Sequence, residues 1–107
     1  MNGVGSLNSH SGLTKGELIT LTFTNSVSQG DKILRKIDIK LSSNTTIYSM
    51  RFLIGRSFKC AWNEIKIMRL DTGLEIKDDD NSKTVSELRF RNNEIFACKK
   101  RAVVPID

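Results

Sequence analysis

The sequence predicts an α+β domain in which a sheet of four to five strands packs on one main helix. Apolar residues alternate with polar ones in several short runs, whereas in one central run they recur every three or four residues. A period of two places alternate side chains on one face of a strand, and a period near 3.6 places them on one face of a helix. One helical run among several strand-like runs, within 107 residues, predicts a single domain with one helix among strands.

The first two strands are predicted from two alternating runs. In 19–24, ITLTFT, aliphatic and aromatic residues alternate with threonines, and in 33–41, ILRKIDIKL, apolar residues interleave with charged ones. The segment between them, NSVSQGDK at 25–32, is rich in turn-forming residues. We therefore expect an antiparallel hairpin with one face in water.

The helix is predicted from an apolar stripe with spacings of three, four and four residues. The stripe consists of Ile47, Met50, Ile54 and Phe58. Thr46 precedes it and can act as the N-cap. We expect Arg51 and Arg56 to point away from the stripe, which packs on the hairpin. Gly55 lies inside the helix, where glycine costs about 1 kcal/mol relative to alanine.

Two further strands are predicted in the C-terminal half, at 64–70 and 94–100. The first run, EIKIMRL, alternates through its isoleucines, and after a DTG turn a short strand can continue at 74–76. In the last run, EIFACKK, Ile95 and Ala97 share one face, and the residues that alternate with them share the other.

A polar loop and a short turn separate these two strands. The loop at 77–83 contains three successive aspartates, but the ligand spacing of a calcium-binding EF-hand is missing, so we expect a solvated loop. At 84–88, TVSEL predicts one helical turn capped by Thr84 or Ser82, with Val85 facing inward.

The residues that carry chemistry argue against an enzyme and against a metal site. Cys60 and Cys98 lie far apart without a CxxC pair, and the one histidine, His10, lies in a Gly/Ser/Asn-rich opening. A nucleophilic Cys–His pair needs both groups in fixed geometry, and a structural zinc site needs more ligands than these. Phosphate-binding glycine motifs are also missing. The sequence therefore predicts no catalytic residue, no metal and no cofactor.

No apolar run approaches the roughly 20 residues that span a bilayer. We expect a soluble domain without a membrane partner, located in the cytoplasm, with the nucleus as a second compartment. The 17 Lys and Arg residues against 12 Asp and Glu give a formal net charge of +5. A charge of this size is compatible with solubility alone and with an acidic partner.

The order strand, turn, strand, capped helix, strand, polar loop, short turn, strand resembles that of the ubiquitin-like β-grasp fold. LSSNTTIYSMRFLI, at 41–54, is similar to the family's passage from hairpin to helix, with Thr46 as cap and Ile47 opening the buried face. KTVSEL, at 83–88, is similar to the segment before the family's last strand, with Val85 as its anchor. The resemblance implies a mixed sheet that curls around the helix.

The resemblance also implies the domain organisation. It covers about residues 17–100, so we expect a flexible N-terminal segment at 1–16, a ubiquitin-like domain at 17–101 and a C-terminal extension at 102–107. Ubiquitin-type modifiers end in Gly-Gly, whereas this chain has no glycine after Gly73. We therefore expect that the chain is not conjugated to other proteins.

The longer lead-in and the longer loop at 77–83 are similar to those of a module inside a larger chain. Such modules include the internal ubiquitin-like domains of large ubiquitin-specific proteases. This resemblance implies a non-catalytic interaction or regulatory module of a deubiquitinating cysteine protease, whose catalytic residues lie outside this sequence. Its partner would be the parent catalytic domain, a substrate or an adaptor, bound by a monomeric module.

Two other functions stay open. A basic nucleic-acid-binding domain is compatible with the lysines and arginines around the last strand, although Phe96 is its one candidate for stacking on bases. A free-standing ubiquitin-like adaptor would differ from the favoured hypothesis only in what surrounds these residues.

The predicted interaction surface lies on one face of the sheet. It consists of Lys66, Phe96 and Cys98, surrounded by Arg89, Arg91 and Lys99. In the resemblance, Lys66 takes the position of the central isoleucine of the family's apolar binding patch. We expect Phe96 to be the exposed apolar contact residue of this surface.

Overall fold

The computed structural model describes residues 16–27 and 35–101. Residues 1–15 of the predicted N-terminal segment, most of the hairpin loop and the C-terminal extension lie outside the described residues, and the predictions made for them stay predictions.

Four strands form one sheet, and one helix packs on it. The elements are β1 (Leu18–Ser26), β2 (Lys36–Ser42), α1 (Ile47–Phe58), β3 (Ile65–Arg69) and β4 (Glu94–Lys100), with short 3₁₀ helices at Trp62–Glu64 and Asp78–Asp80. The strand order is β2-β1-β4-β3. The two central strands, β1 and β4, are parallel, and both outer pairs are antiparallel. The predicted fold class, a mixed sheet with one main helix, is confirmed.

The predicted short strand at 74–76 is reduced to a single bridge between Met68 and Glu75. The predicted helical turn at 84–88 is a series of hydrogen-bonded turns. At its start, Thr84 and Glu87 form two hydrogen bonds with each other, each from a backbone N–H to the other residue's side chain. The Thr84 hydroxyl accepts from the Glu87 N–H at 3.1 Å, and the Glu87 carboxylate accepts from the Thr84 N–H at 2.9 Å. Thr84 is therefore the cap.

Helix α1 begins and packs as its sequence predicts. The Thr46 hydroxyl accepts a hydrogen bond from the Ser49 N–H at 3.2 Å. All four residues of the apolar stripe are buried, and Met50 and Ile54 have no exposed surface. The helix ends at Lys59, which adopts a left-handed conformation with φ 58°. The stripe thus faces the sheet and forms the main core.

Arg51 is buried, and the prediction that it points away from the stripe is wrong. Its side chain is 1% exposed because the segment from Ile76 to Asn81 covers this flank of the helix. Nε donates to the Asn81 side-chain oxygen at 2.7 Å, and Nη2 donates to the Ile76 carbonyl at 2.8 Å. Arg51 therefore ties the loop after β3 to α1.

Gly55 is required because the chain after α1 crosses directly over it. A Cβ at this position would lie 2.7 Å from the Cys60 carbonyl oxygen and 3.3 Å from the Trp62 nitrogen. Both neighbours are backbone atoms, which cannot rotate away as a side chain can. The residue that weakens α1 by intrinsic propensity thus allows the 3₁₀ helix to pack on it.

We expect Gly55→Ala to destabilise the domain by about 1–3 kcal/mol, since the overlap with backbone outweighs the gain of about 1 kcal/mol in helix propensity. Chemical denaturation of the variant and the parent chain measures the difference. Arg56→Ala, one residue further along the helix and exposed, is the control and should change stability by less than about 0.5 kcal/mol. A Gly55→Ala variant more stable than the parent would contradict the packing.

Candidate interaction surface

Phe96 and Cys98 lie in the core, so the prediction that they form an exposed surface with Lys66 is wrong. Both are 0% exposed. Strand β4 is central in the sheet, and these two residues are on the side that α1 covers. The Phe96 ring stacks on Phe23 at 5.1 Å between centroids and contacts Phe90 at 4.8 Å.

The other predicted residues are on the surface, but they do not form one cluster. Lys66 and Lys99 are direct partners in the register of β3 and β4, on the side of the sheet away from α1. Lys66 Nζ lies 3.9 Å from the Glu75 carboxylate. Arg91 pairs with Asp71 at the opposite end of the strands. The surface residues of the predicted site are thus divided between two ends of the strands, and at each end a carboxylate pairs with one of the cations.

Apolar side chains occupy the space between these ends. We call them the outer patch: Met68, Leu70, Ile95 and Ala97. Met68 and Ala97 are register partners, and the Leu70 N–H donates to the Ile95 carbonyl at 3.2 Å. Leu70 is 55% exposed and Ile95 is 45% exposed. Both also line a shallow depression of about 500 Å³ beside Arg91.

Sequence reasoning missed the outer patch because its residues come from two distant segments. In EIFACKK, four successive residues are apolar or small, so alternation alone does not decide which face of β4 is buried. The signal that could have found the patch is the charge pattern of β3. Lys66 is on the outer face, so Met68 and Leu70 at the same period are on that face too.

A buried ion pair holds the strand ends that frame the patch. Arg69 Nε and Nη2 donate to the Glu94 carboxylate at 2.6 Å and 2.9 Å. Arg69 Nη1 donates to the Leu88 carbonyl at 3.0 Å, and its guanidinium lies 4.8 Å from the Phe90 ring centroid. This network fixes β3 against the start of β4, so the side chains of Leu70 and Ile95 have defined positions.

The two cysteines do not have the character of nucleophiles. Burial raises the pKa of the Cys98 thiol to about 12. Burial, with a smaller effect from the charge of Glu64, also raises the pKa of Cys60. Both thiols are protonated at neutral pH, whereas the thiolate is the reactive form.

Within residues 16–27 and 35–101, no group of three or more His, Cys, Asp or Glu side chains could hold a metal ion. Over the same residues, no helix is long and apolar enough to cross a membrane.

No protein-family model and no curated protein matches the sequence of this chain. Solved structures do match its fold. Ubiquitin of Caldiarchaeum subterraneum is similar with a TM-score of 0.63 at 15% identity, over 81% of this chain and 98% of its own. The C-terminal ubiquitin-like domain of mouse tubulin-specific chaperone e is similar with a TM-score of 0.61 at 16% identity, over 89% and 98%.

A ubiquitin-like domain of an Arabidopsis thaliana protein is similar with a TM-score of 0.62 at 13% identity, over 100% of this chain and 99% of its own. Identities this low establish the fold alone. The fold is a ubiquitin-like β-grasp: a mixed four-stranded sheet around one helix.

Proposed function

We propose that this domain is a non-catalytic protein-interaction module that binds its partner through the outer patch. The supporting observation is the exposure of Leu70 and Ile95, 55% and 45%, on a sheet face that no other described element covers. Apolar side chains that are fixed by the strands beneath them lose little conformational entropy on binding. Lys99, beside the Lys66–Glu75 pair, adds a positive charge at one end of the patch and would favour an acidic residue of the partner there.

We further propose that the module belongs to a larger deubiquitinating enzyme, as the resemblance to internal domains of ubiquitin-specific proteases implies. Burial raises the pKa of both thiols, so in this proposal neither cysteine is the nucleophile of the parent enzyme. In this proposal the module works in the cytoplasm, as a monomer, on the parent catalytic domain, a substrate or an adaptor.

Ile95→Asp tests the outer patch, because it places a charge in the centre of the apolar surface. We expect wild-type chain, immobilised and incubated with cell lysate, to retain a set of proteins that Ile95→Asp loses by about tenfold or more, the scale of a lost interface contact. Leu53→Asp is the control: Leu53 is 36% exposed but on the helix side. Equal retention by all three chains would contradict the proposal, and thermal unfolding confirms that each variant folds.

The link to a deubiquitinating enzyme needs a separate measurement. In the full-length protein, cleavage of a fluorogenic ubiquitin substrate is compared between wild type and Ile95→Asp. We expect a change in kcat or KM with the variant. A full-length protein that does not cleave ubiquitin would contradict the deubiquitinase proposal. The proposal for the outer patch would still be tested separately, by the retention experiment.

Around β4, the nucleic-acid alternative loses the one stacking residue that was predicted there, because Phe96 is 0% exposed. Base stacking on exposed aromatic side chains is the usual source of affinity for single strands, and basic charge alone gives weak, salt-sensitive binding. No second function is proposed on that basis.

A further inference from the structure

A second apolar surface lies on the opposite side of the domain. We call it the helix-side cluster: Tyr48 and Phe52 of α1 and Trp62 of the first 3₁₀ helix. The rings of Tyr48 and Phe52 lie 4.8 Å apart, and Trp62 lies 5.4 Å from Tyr48 and 6.3 Å from Phe52. Tyr48 is 43% exposed and Phe52 is 44% exposed. None of these residues contributes to the core or to the outer patch.

The buried Arg51 side chain and the backbone after α1 hold the cluster in place. The Arg51 guanidinium lies 5.8 Å from the centre of the Trp62 ring. The absence of a side chain at Gly55 lets the backbone from Cys60 to Trp62 lie directly on the helix. Trp62 is thereby fixed between a buried cation and the two exposed rings, so a ligand would meet a surface that is already ordered.

A depression of about 440 Å³ adjoins the cluster. Phe52 and Trp62 form its apolar walls, and Arg56 and Lys59 are at its rim. Over the described residues, neither of these two cations forms an ion pair. The nearby carboxylate of Glu64 accepts a hydrogen bond from the Ala61 N–H at 3.0 Å. The residues that line the depression include these two cations and no carboxylate, so its rim is electropositive and its charges are available.

We propose that this depression binds an acidic peptide segment of a partner protein, independently of the outer patch. The segment places an aliphatic or aromatic side chain against Phe52 and Trp62, and its carboxylates pair with Arg56 and Lys59. Aromatic anchors in a pocket, surrounded by complementary charge, are the usual composition of a binding hot spot.

A cationic ligand such as a methylated lysine fits the site less well. An aromatic cage holds a cation against the faces of its rings, but here Arg51 already lies over Trp62, and the three rings contact one another. Arg56 and Lys59 would also repel the ligand. The positive charge beneath and around the rings selects an anionic partner.

The segments that flank the domain in this sequence match the site less well than an acidic segment does. Residues 1–15 contain no Asp or Glu, and residues 102–107, AVVPID, contain one Asp among apolar residues. Occupation by residues 102–107 is nevertheless an outcome that the experiment must distinguish.

Selection from a library of random peptides displayed on phage, with the full chain as target, tests the proposal. We expect enriched peptides in which Asp and Glu flank Leu, Phe or Trp. Their binding, followed by fluorescence anisotropy, should weaken about tenfold or more in the double variant Arg56→Ala, Lys59→Ala, and similarly in Phe52→Ala. Binding of the peptides to the wild-type chain should also weaken as the salt concentration rises. Ile95→Asp, in the outer patch, should bind the peptides as wild type does.

Each of the following four results would overturn the proposal. The first is enrichment without acidic residues or no enrichment at all. The second is peptide binding that Phe52→Ala leaves unchanged while thermal unfolding shows the variant to be folded. The third is a set of nuclear Overhauser contacts between the Trp62 indole and Val103 or Val104 in the free chain, which would show that the C-terminal residues fill the depression. A loss of peptide binding in Ile95→Asp would instead locate the peptides on the outer patch.

Discussion

Phe96→Ala is expected to lower the free energy of unfolding by about 3–5 kcal/mol, the usual cost of truncating a fully buried phenylalanine. Phe96 has no exposed surface, and its ring packs between Phe23 and Phe90 at centroid distances of 5.1 Å and 4.8 Å. The two central strands and the turn before β4 would all contact the resulting cavity. A domain of this size has about 5–15 kcal/mol of stability in total, so the variant should be largely destabilised or unfolded at 37 °C.

Equilibrium unfolding in urea measures this effect, and Ile95→Ala provides the matched control. Ile95 is the preceding residue of the same strand but is 45% exposed, so its truncation leaves no enclosed cavity and should cost about 1 kcal/mol or less. The pair separates the two faces of β4. If Ile95→Ala were the more destabilising of the two, the assignment of the buried face would be wrong.

The strands of this fold could be predicted from the sequence, whereas the buried face of β4 could not. In β1, polar threonines mark the outer face, so the period of two also gives the orientation. In β4, Ile95, Phe96, Ala97 and Cys98 are all compatible with burial. The choice depends on the central position of β4 in the sheet and on its register with β3. These are tertiary properties, set by segments that are distant in sequence.

Packing by segments that are distant in sequence also explains why the roles of Arg51 and Gly55 in the helix could not be predicted. The spacing of Ile47, Met50, Ile54 and Phe58 gives the stripe but does not say which segment covers its flanks. Arg51 lies on a flank that the loop after β3 covers, and Gly55 lies where the 3₁₀ helix crosses. Both residues contradict the simple amphipathic pattern, and each does so at a point where another segment packs on α1.

Arg51→Ala is expected to lower the free energy of unfolding by about 2–4 kcal/mol. The substitution removes two hydrogen bonds from a charged donor, to the Ile76 carbonyl at 2.8 Å and to the Asn81 side chain at 2.7 Å. It also removes the methylene groups that pack in the interior. The Ile76 carbonyl would lose its side-chain donor in a buried position, which adds the cost of a buried polar group that is unsatisfied.

Arg51→Met separates the effect of the lost hydrogen bonds from the effect of the lost side-chain packing. Methionine restores most of the packing but no donor, so we expect it to recover part of the loss and leave about 1–2 kcal/mol for the hydrogen bonds. Arg51 Nη2 also lies 3.7 Å from the Asp78 carboxylate. Asp78 has a second partner, since Arg101 donates to both of its carboxylate oxygens at 3.1 Å. Those hydrogen bonds lower the pKa of Asp78, and this exposed aspartate keeps Arg101 as its cation when Arg51 is replaced.

Trp62 provides a readout for Arg51 that stability alone does not give. Because the guanidinium lies 5.8 Å from the Trp62 ring centroid, both substitutions should shift the indole N–H resonance and the tryptophan fluorescence of the folded state. Arg56→Ala removes a charge from the same depression, but the cation over the Trp62 ring is Arg51, so this variant should change both signals less than the Arg51 substitutions do. Spectra of Arg51→Met identical to those of the parent chain would show that Arg51 does not support the helix-side cluster, whatever its effect on unfolding.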